Sequence, residues 1–450
     1  MDNPWGHHLG PVANGWTLTS ARPAATGPAQ AARGDVGLLW SGRRRPSIVS
    51  PMHLAQRAQS ISGSASLALI ARVAELRADG VDVISLAAGE PDFPSPSEAI
   101  EAASAYIAKG HVGYTASSGI PELRAAAAAN LKHTTGVDYA PSQVIVTCGA
   151  KEALALSILA LCQAGDEVLV PTPAWISYDP MATIAEARTT TIPCSEESGF
   201  KLTPDALAAA ITPDSRVLVL CSPSNPTGAV YTRDEFAALS EVLAGTDVSV
   251  VSDEIYWPFI YEGEFVSPAS LPGMAERTIV VNGVSKGWSM TGWRIGWLGA
   301  PQPVASAIGN IKSHLTSNPA APSQYAALAA LQGGDAWPKH MLEAFARRRD
   351  IALEMLAGVP GISLAPPPGA FYVFPRIDAY YGPDIPDGRA FAQKLLEEQR
   401  VAALPGIEFG EDRCIRFSIA TSDEQLREGL SRFIAFLSSL PTPSAPSPLT

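Results

Sequence analysis

The sequence predicts a doubly wound α/β domain, with helices on both faces of a mostly parallel sheet, joined to a smaller α+β domain built from both ends of the chain. Three observations carry this. Apolar strand-like runs alternate with helical stretches from about residue 143 to 281, the alternation that builds parallel sheets. Runs such as VLVLC (217–221) and VSVVS (248–252) are apolar on both faces, as strands lying between two helical layers are. Beyond about residue 335 the pattern changes to a long arginine-rich helix, then short strands and two more helices.

Taken in order, Ser64–Asp79 carries Leu67, Ile70, Ala71 and Ala74 at helical spacing and stops at Gly80. Val81–Leu86 reads as a short strand leading into the loop AAGEPDFPSP, which Gly89, Pro91, Pro94 and Pro96 keep irregular. Pro121 opens an alanine-rich helix, at a position where its missing N–H costs nothing. Strands follow at Gln143–Cys148, Glu167–Val170, Arg216–Cys221, Val248–Ser252 and Thr278–Val281. Between them lie helices at Lys151–Leu161, Tyr178–Ala187 and Arg233–Leu243. The C-terminal part gives a helix at Trp337–Leu356, the segment PPPGAFYVFP, and a helix at Asp387–Gln399. Strands at Val401–Leu404 and Cys414–Ile419 and a closing helix at Asp423–Ser438 complete it.

A chain of 450 residues, 46% hydrophobic and 17% charged, is long enough for two substantial cores. A net charge of −12 argues against general affinity for nucleic acid or anionic membranes. The five cysteines are scattered and lack CxxC spacing, so they read as small core residues in a reducing compartment. No apolar run reaches membrane-spanning length, and a soluble cytoplasmic protein is expected. His7-His8 is too small a cluster for a metal site, and none is predicted. Residues 1–51, rich in Gly, Pro, Ala and Arg without a sustained period, read as a disordered extension or as sequence upstream of a true start at Met52. The expected domains are 52–98 with 330–440 (small) and 99–329 (large), with 441–450 a frayed tail.

In doubly wound sheets ligands sit beyond the carboxyl ends of the strands. Three chemically distinctive residues follow three such ends: Asn225 after VLVLC, Asp253 after VSVVS and Lys286 after TIVVNG. Arg294 follows Lys286 by eight residues in SKGWSMTGWRIG. An amine at a strand mouth near a phosphate-gripping guanidinium is what a Schiff-base cofactor with a phosphate tail requires. A solvated loop with two stray basic residues is the alternative.

Over residues 52–440 the chain resembles the fold-type I aminotransferases that use pyridoxal phosphate, and within them the bacterial aspartate aminotransferase subgroup. The motifs that carry this are AGEPDF (88–93), YTASSGIPELR (114–124), GAKEAL (149–154) and SPSNPTGAVY (222–231). SDEIY (252–256), SKGWSMTGWRIG (285–296) and the arginine of RFSIAT (416–421) come next, in register. The resemblance implies a seven-stranded sheet, a homodimer with shared active sites, and amino-acid and 2-oxo-acid substrates.

By that resemblance Lys286 is the Schiff-base lysine and the proton-transferring base, and Asp253 partners the pyridine nitrogen. Asp253 could otherwise be a helix N-cap ahead of Glu254-Ile255. Tyr256 and Asn225 match the groups on the cofactor's phenolic oxygen, and Asn225 also contacts the substrate carboxylate. Trp175 matches the aromatic that stacks on the ring; otherwise it is a core tryptophan. Gly149, Ala150 and Lys151 sit where a helix start binds phosphate, with Arg294 and Ser285 adding a cation and a hydroxyl. Tyr114 is implied to reach the phosphate of the neighbouring subunit. Arg416 matches the arginine of the substrate α-carboxylate, with Gly89 letting the loop backbone approach it.

Lys151 also matches a lysine that helps bind the distal carboxylate of aspartate, or is an exposed first-turn lysine. Other subgroup members, including those that act on prephenate, carry a further basic residue where ISGSAS (61–66) has Ser62, which makes prephenate the less expected substrate. Aspartate or glutamate donating to 2-oxoglutarate in ping-pong half-reactions is therefore the expectation. Aromatic or neutral donors, and a lyase on the same fold, are alternatives. A pyridoxal-phosphate-sensing transcription regulator is disfavoured, since the first 51 residues show no helix-turn-helix pattern.

Overall fold

A computed structural model of the chain describes residues 52–441. The predicted 1–51 extension lies outside the described residues, as does all of the predicted 441–450 tail except Pro441. The elements below all belong to the compact unit that begins at Leu54.

The first elements are α1 (Gln56–Ser60), α2 (Ala65–Ala78), β1 (Ile84–Ser85), α3 (Ser97–Ile107) and α4 (Pro121–Thr135). Next come β2 (Val144–Thr147), α5 (Ala150–Leu161), β3 (Glu167–Thr172), α6 (Tyr178–Ile184), β4 (Arg188–Pro193) and α7 (Pro204–Ala210). They are followed by β5 (Ser215–Cys221), α8 (Arg233–Leu243), β6 (Ser249–Asp253), β7 (Thr278–Gly283), α9 (Val284–Gly287) and β8 (Gly296–Gly299). Three long helices come next: α10 (Gln302–Leu315), α11 (Ala321–Gln332) and α12 (Ala336–Leu356). The chain closes with β9 (Tyr372–Val373), α13 (Gly388–Gln399), β10 (Val401–Ala402), β11 (Leu404–Pro405), β12 (Ile415–Ser418) and α14 (Asp423–Ser439).

Strands β2-β8-β7-β6-β5-β3-β4 form one seven-stranded sheet. Only β8 runs against its neighbours. The period of two along each strand decides which core a side chain enters. Val168, Val170, Val217, Val219 and Val251 face one apolar cluster with α5 and α6. Leu169, Leu218, Leu220 and Val250 face another with α8. Val144, Val146, Val280 and Trp297 pack with α4 and α11. Helices thus cover both faces, and the expected α/β architecture holds.

The C-terminal elements build the smaller α+β part. β11-β12-β9 is an antiparallel sheet, and β1 pairs in parallel with β10, so the N-terminal segment joins the C-terminal one. Ile84, Leu86, Phe345, Phe371, Phe417 and Phe433 share its core.

Four expectations need correction. The stripe Leu67, Ile70, Ala71, Ala74 on α2 lies off the core, with Leu67 65% and Ile70 44% exposed, and Ile70 borders the cavity described below. The inward face is Leu69, Val73 and Leu76, an equally helical spacing that packs on Val83, Phe374 and Leu404. Val81–Leu86 contributes only two residues to a ladder. Val401–Leu404 is two strands rather than one, because the chain leaves the parallel pairing with β1 at Ala402 and enters antiparallel pairing with β12 at Leu404. β4 and β8 were not expected: β4 is a half-exposed, threonine-rich edge, and the glycine-bounded β8 is only four residues long. Among the described residues no helix is long and apolar enough to cross a membrane.

Candidate active site

β7 enters the sheet centre and turns sharply at Gly283 into α9, a single turn that carries Lys286. A Cβ at Gly283 would lie 2.8 Å from the Gly296 Cα, so the two strands touch backbone to backbone there. Lys286 Nζ donates to the Gly89 carbonyl at 2.5 Å. Burial lowers its ammonium to about 8. The Glu90 carboxylate opposes that shift, and the Arg416 and Arg294 charges add to it. At neutral pH roughly a tenth of this amine is unprotonated, against under a thousandth for an ordinary lysine.

Asp253 is the last residue of β6, and a turn rather than a helix comes after it, so it is no N-cap. Its Oδ2 accepts the Tyr178 hydroxyl at 2.8 Å and its Oδ1 the Ile255 N–H at 3.3 Å. Burial raises this carboxyl to about 6 against the pull of those two donors and of Lys286. A buried carboxylate this poorly compensated asks for a cationic partner.

Arg416, on β12, is buried. Nη1 donates to Asn225 Oδ1 at 2.8 Å and Nη2 to the Ala87 carbonyl at 2.6 Å, while Nε has no partner. Its guanidinium lies 4.4 Å from the Tyr372 ring centroid and 5.0 Å from that of Phe409. The Tyr372 hydroxyl meets that of Tyr256 at 2.8 Å. A Cβ on Gly89 would lie 2.6 Å from the Tyr372 oxygen, so only glycine lets this loop come so close.

The turn from β2 into α5 builds a third corner. Gly149 caps α5 with φ of 83°, and a Cβ there would lie 2.5 Å from Arg294 Nη2. Arg294 donates to the Thr291 carbonyl at 2.9 Å and the Cys148 carbonyl at 3.2 Å. Gly296 of β8 backs the same turn, since a Cβ there would meet the Ala150 nitrogen at 2.4 Å. Gly296→Ala is expected to cost about 1–3 kcal/mol by overpacking; an unchanged midpoint in thermal unfolding would contradict this. Lys151, one residue further, holds Nζ 5.0 Å from the Trp175 ring centroid. Burial, then the Arg294 charge, keep its ammonium below the usual lysine range.

All the residues expected at the site except Gly149 and Tyr114 border one cavity of about 300 Å³. Gly149 immediately precedes Ala150, which forms part of the wall. Tyr114 is 94% exposed and does not reach the cavity of its own chain. Of the nine lining residues outside the expected set, two are tyrosines whose hydroxyls bear on the site. Tyr178 could have been found as the polar aromatic just beyond β3, and Tyr372 lies in a segment whose chemistry gave no signal. Among the described residues no group of three or more His, Cys, Asp or Glu could hold a metal ion.

A family model described as aminotransferase class I and II matches residues 81–433. An aspartate/prephenate aminotransferase of Cereibacter sphaeroides is 43% identical over 389 residues, covering 84% of this chain and 97% of that protein. An aspartate aminotransferase of Bacillus subtilis is 41% identical, covering 86% and 99%. Among solved structures, the aspartate aminotransferase of Rhizobium meliloti aligns at a TM-score of 0.83 and 40% identity, covering 87% of this chain and 100% of that one. That of Thermus thermophilus with maleate gives 0.82 at 39% identity, covering 86% and 100%. Matched over such length, the chain belongs to the class I and II aminotransferases and is an aminotransferase with pyridoxal phosphate as its cofactor.

Proposed function

We propose that the enzyme moves the amino group of an acidic L-amino acid, aspartate or glutamate, to a 2-oxo acid such as 2-oxoglutarate in two ping-pong half-reactions. The observation that carries this is that the cavity holds two cations besides Lys286 and Arg294: Arg416, with an unpartnered buried Nε, and Lys151. A dicarboxylic amino acid is the substrate that uses both. The relatives named aspartate aminotransferases, and the related structure with maleate, a dicarboxylate, support it.

The cavity fits the cofactor. The start of α5 at Ala150–Lys151, just after Gly149, offers backbone N–H groups to a phosphate, and Arg294 and Ser285 add a guanidinium and a hydroxyl. Asp253 offers a buried carboxylate to a pyridine nitrogen, Trp175 a ring face, and Asn225 and Tyr256 polar atoms for a phenolic oxygen. Bound there, pyridoxal phosphate supplies an electrophilic carbon for the amino group and a ring that accepts the electron pair left when the α-proton departs. The protein's own work is positional and protonic. Arg416 and Asn225 fix the substrate α-carboxylate, the Gly89 backbone lets it approach, and Lys286 takes and returns the α-proton. Asp253 keeps positive charge at its end of the cavity.

We assign cofactor binding to residues 99–329 and closure of the cavity to 52–98 with 330–440, which supply Gly89 and Arg416. The working unit is taken to be a cytoplasmic homodimer. Exposed Leu67, Ile107, Val112 and Tyr114 give a second copy apolar surface to cover, and the five free cysteines suit a reducing compartment.

The test is a panel of amino acids offered to the purified enzyme, with loss of the bound cofactor's absorbance followed for each. Aspartate and glutamate should convert it faster than alanine or phenylalanine; equal rates would overturn the acidic-substrate reading. Lys151→Ala should lower kcat/KM for aspartate about tenfold and leave alanine unchanged, the effect of one lost charged hydrogen bond. Equal losses for both would remove Lys151 from substrate recognition.

A further inference from the structure

Lys312, on α10, is fully buried and lines no part of the cavity. Its Nζ lies 3.4 Å from Glu152 Oε1, 3.0 Å from Thr316 Oγ1 and 2.5 Å from the Ser317 carbonyl. Glu152 is the third residue of α5. Its Oε1 also accepts the Thr316 hydroxyl, and its Oε2 accepts the backbone N–H of Cys148. The Cys148 carbonyl meanwhile accepts Arg294 Nη2 at 3.2 Å. The residue before Gly149 is therefore held at its N–H by Glu152 and at its carbonyl by Arg294.

That arrangement carries an electrostatic conflict. A carboxylate in the first turn of α5 suits the helix dipole but repels an anion placed at the same helix start. A buried ammonium against that carboxylate cancels the repulsion, and two charges sharing hydrogen bonds tolerate burial far better than either alone. We propose that Glu152 and Lys312 are positioning residues for the phosphate cup: Glu152 fixes the Cys148–Gly149 turn, and Lys312 keeps that carboxylate from opposing the cofactor's phosphate. This role rests on the proposed function, because it takes the cofactor's phosphate to sit at the start of α5, and it extends that function to two residues outside the cavity.

The test titrates cofactor-free enzyme with pyridoxal phosphate and, separately, with pyridoxal, which lacks the phosphate. Lys312→Met, which leaves the carboxylate uncompensated, should bind pyridoxal phosphate about tenfold or more weakly. The neutral pair Glu152→Gln with Lys312→Met keeps an acceptor for the Cys148 N–H and should recover to within about threefold of the parent. Glu152→Ala with Lys312→Met loses that acceptor and should bind about tenfold more weakly than the Gln pair. Pyridoxal should bind all forms alike, and kcat at saturating cofactor should stay within about twofold. If Lys312→Met does not fold, the comparison of the two double variants decides. Equal affinities for pyridoxal phosphate across the variants, or an equal loss for pyridoxal, would overturn the proposal while leaving the cavity's function intact. A parent enzyme that takes up no pyridoxal phosphate would overturn both.

Discussion

Lys286→Ala is expected to lower the transamination rate by at least about 10⁴-fold, since it removes both the amine that captures the cofactor and the group that moves the α-proton. The pH dependence of capture gives an independent check. With the amine lowered to about 8, covalent attachment of pyridoxal phosphate should rise nearly tenfold per pH unit below that value and level off above it. An amine at the ordinary lysine value would go on gaining to beyond pH 10. Borohydride reduction followed by peptide mapping reads the site directly. Label on a peptide lacking Lys286, or a rise that continues undiminished past pH 9, would sink this assignment.

Much of the site was legible because it depends on topology. A parallel sheet places the ends of its strands side by side, so Asn225, Asp253 and Lys286 could be brought together from three separated motifs, and they border one cavity. What stayed hidden depends on side chains whose partners lie far off in sequence. Tyr178 gains meaning only from the hydrogen bond it gives Asp253, 75 residues away. Lys312 sits on a helix where a lysine ordinarily points to water; only the structure shows it buried against Glu152, 160 residues earlier. Glu152 stands within GAKEAL, but a carboxylate in the first turn of a helix is an ordinary partner of the helix dipole and by itself signals nothing about a phosphate. The misread face of α2 has a similar cause. Apolar residues lie on two sides of that helix, and periodicity alone does not say which side meets the chain's own core. β4 escaped notice because a half-exposed edge strand lacks a continuous apolar run.

Asp253→Asn changes charge and almost nothing else, so its two expected effects should run in opposite directions. The amide can still accept the Ile255 N–H while its NH₂ donates to the Tyr178 hydroxyl, so the local hydrogen bonds survive. Without the negative charge, however, a pyridine nitrogen beside it loses the partner that keeps it protonated. The rate should fall about 10³-fold, the scale of removing one electrostatic stabiliser from a dry site. Tyr178→Phe, which leaves the charge and removes one hydrogen bond, should cost only about tenfold. Stability should move the other way in the cofactor-free protein. Burial raises the Asp253 carboxyl to about 6, above the value near 3.9 of an unfolded chain. The unfolded state therefore binds fewer protons between about pH 4 and 6, and folding stability declines as pH rises through that window. At neutral pH the cost is about 3 kcal/mol, and the asparagine variant does not bear it. Cofactor-free Asp253→Asn should thus melt above the cofactor-free parent at pH 7.5, with the gap closing towards pH 4. Bound cofactor should shrink the advantage at pH 7.5, because the carboxylate then has its cation. A variant that melts lower than the parent at pH 7.5 without cofactor would show that Asp253 is already compensated by the protein, and the case for a cationic ring opposite it would fail.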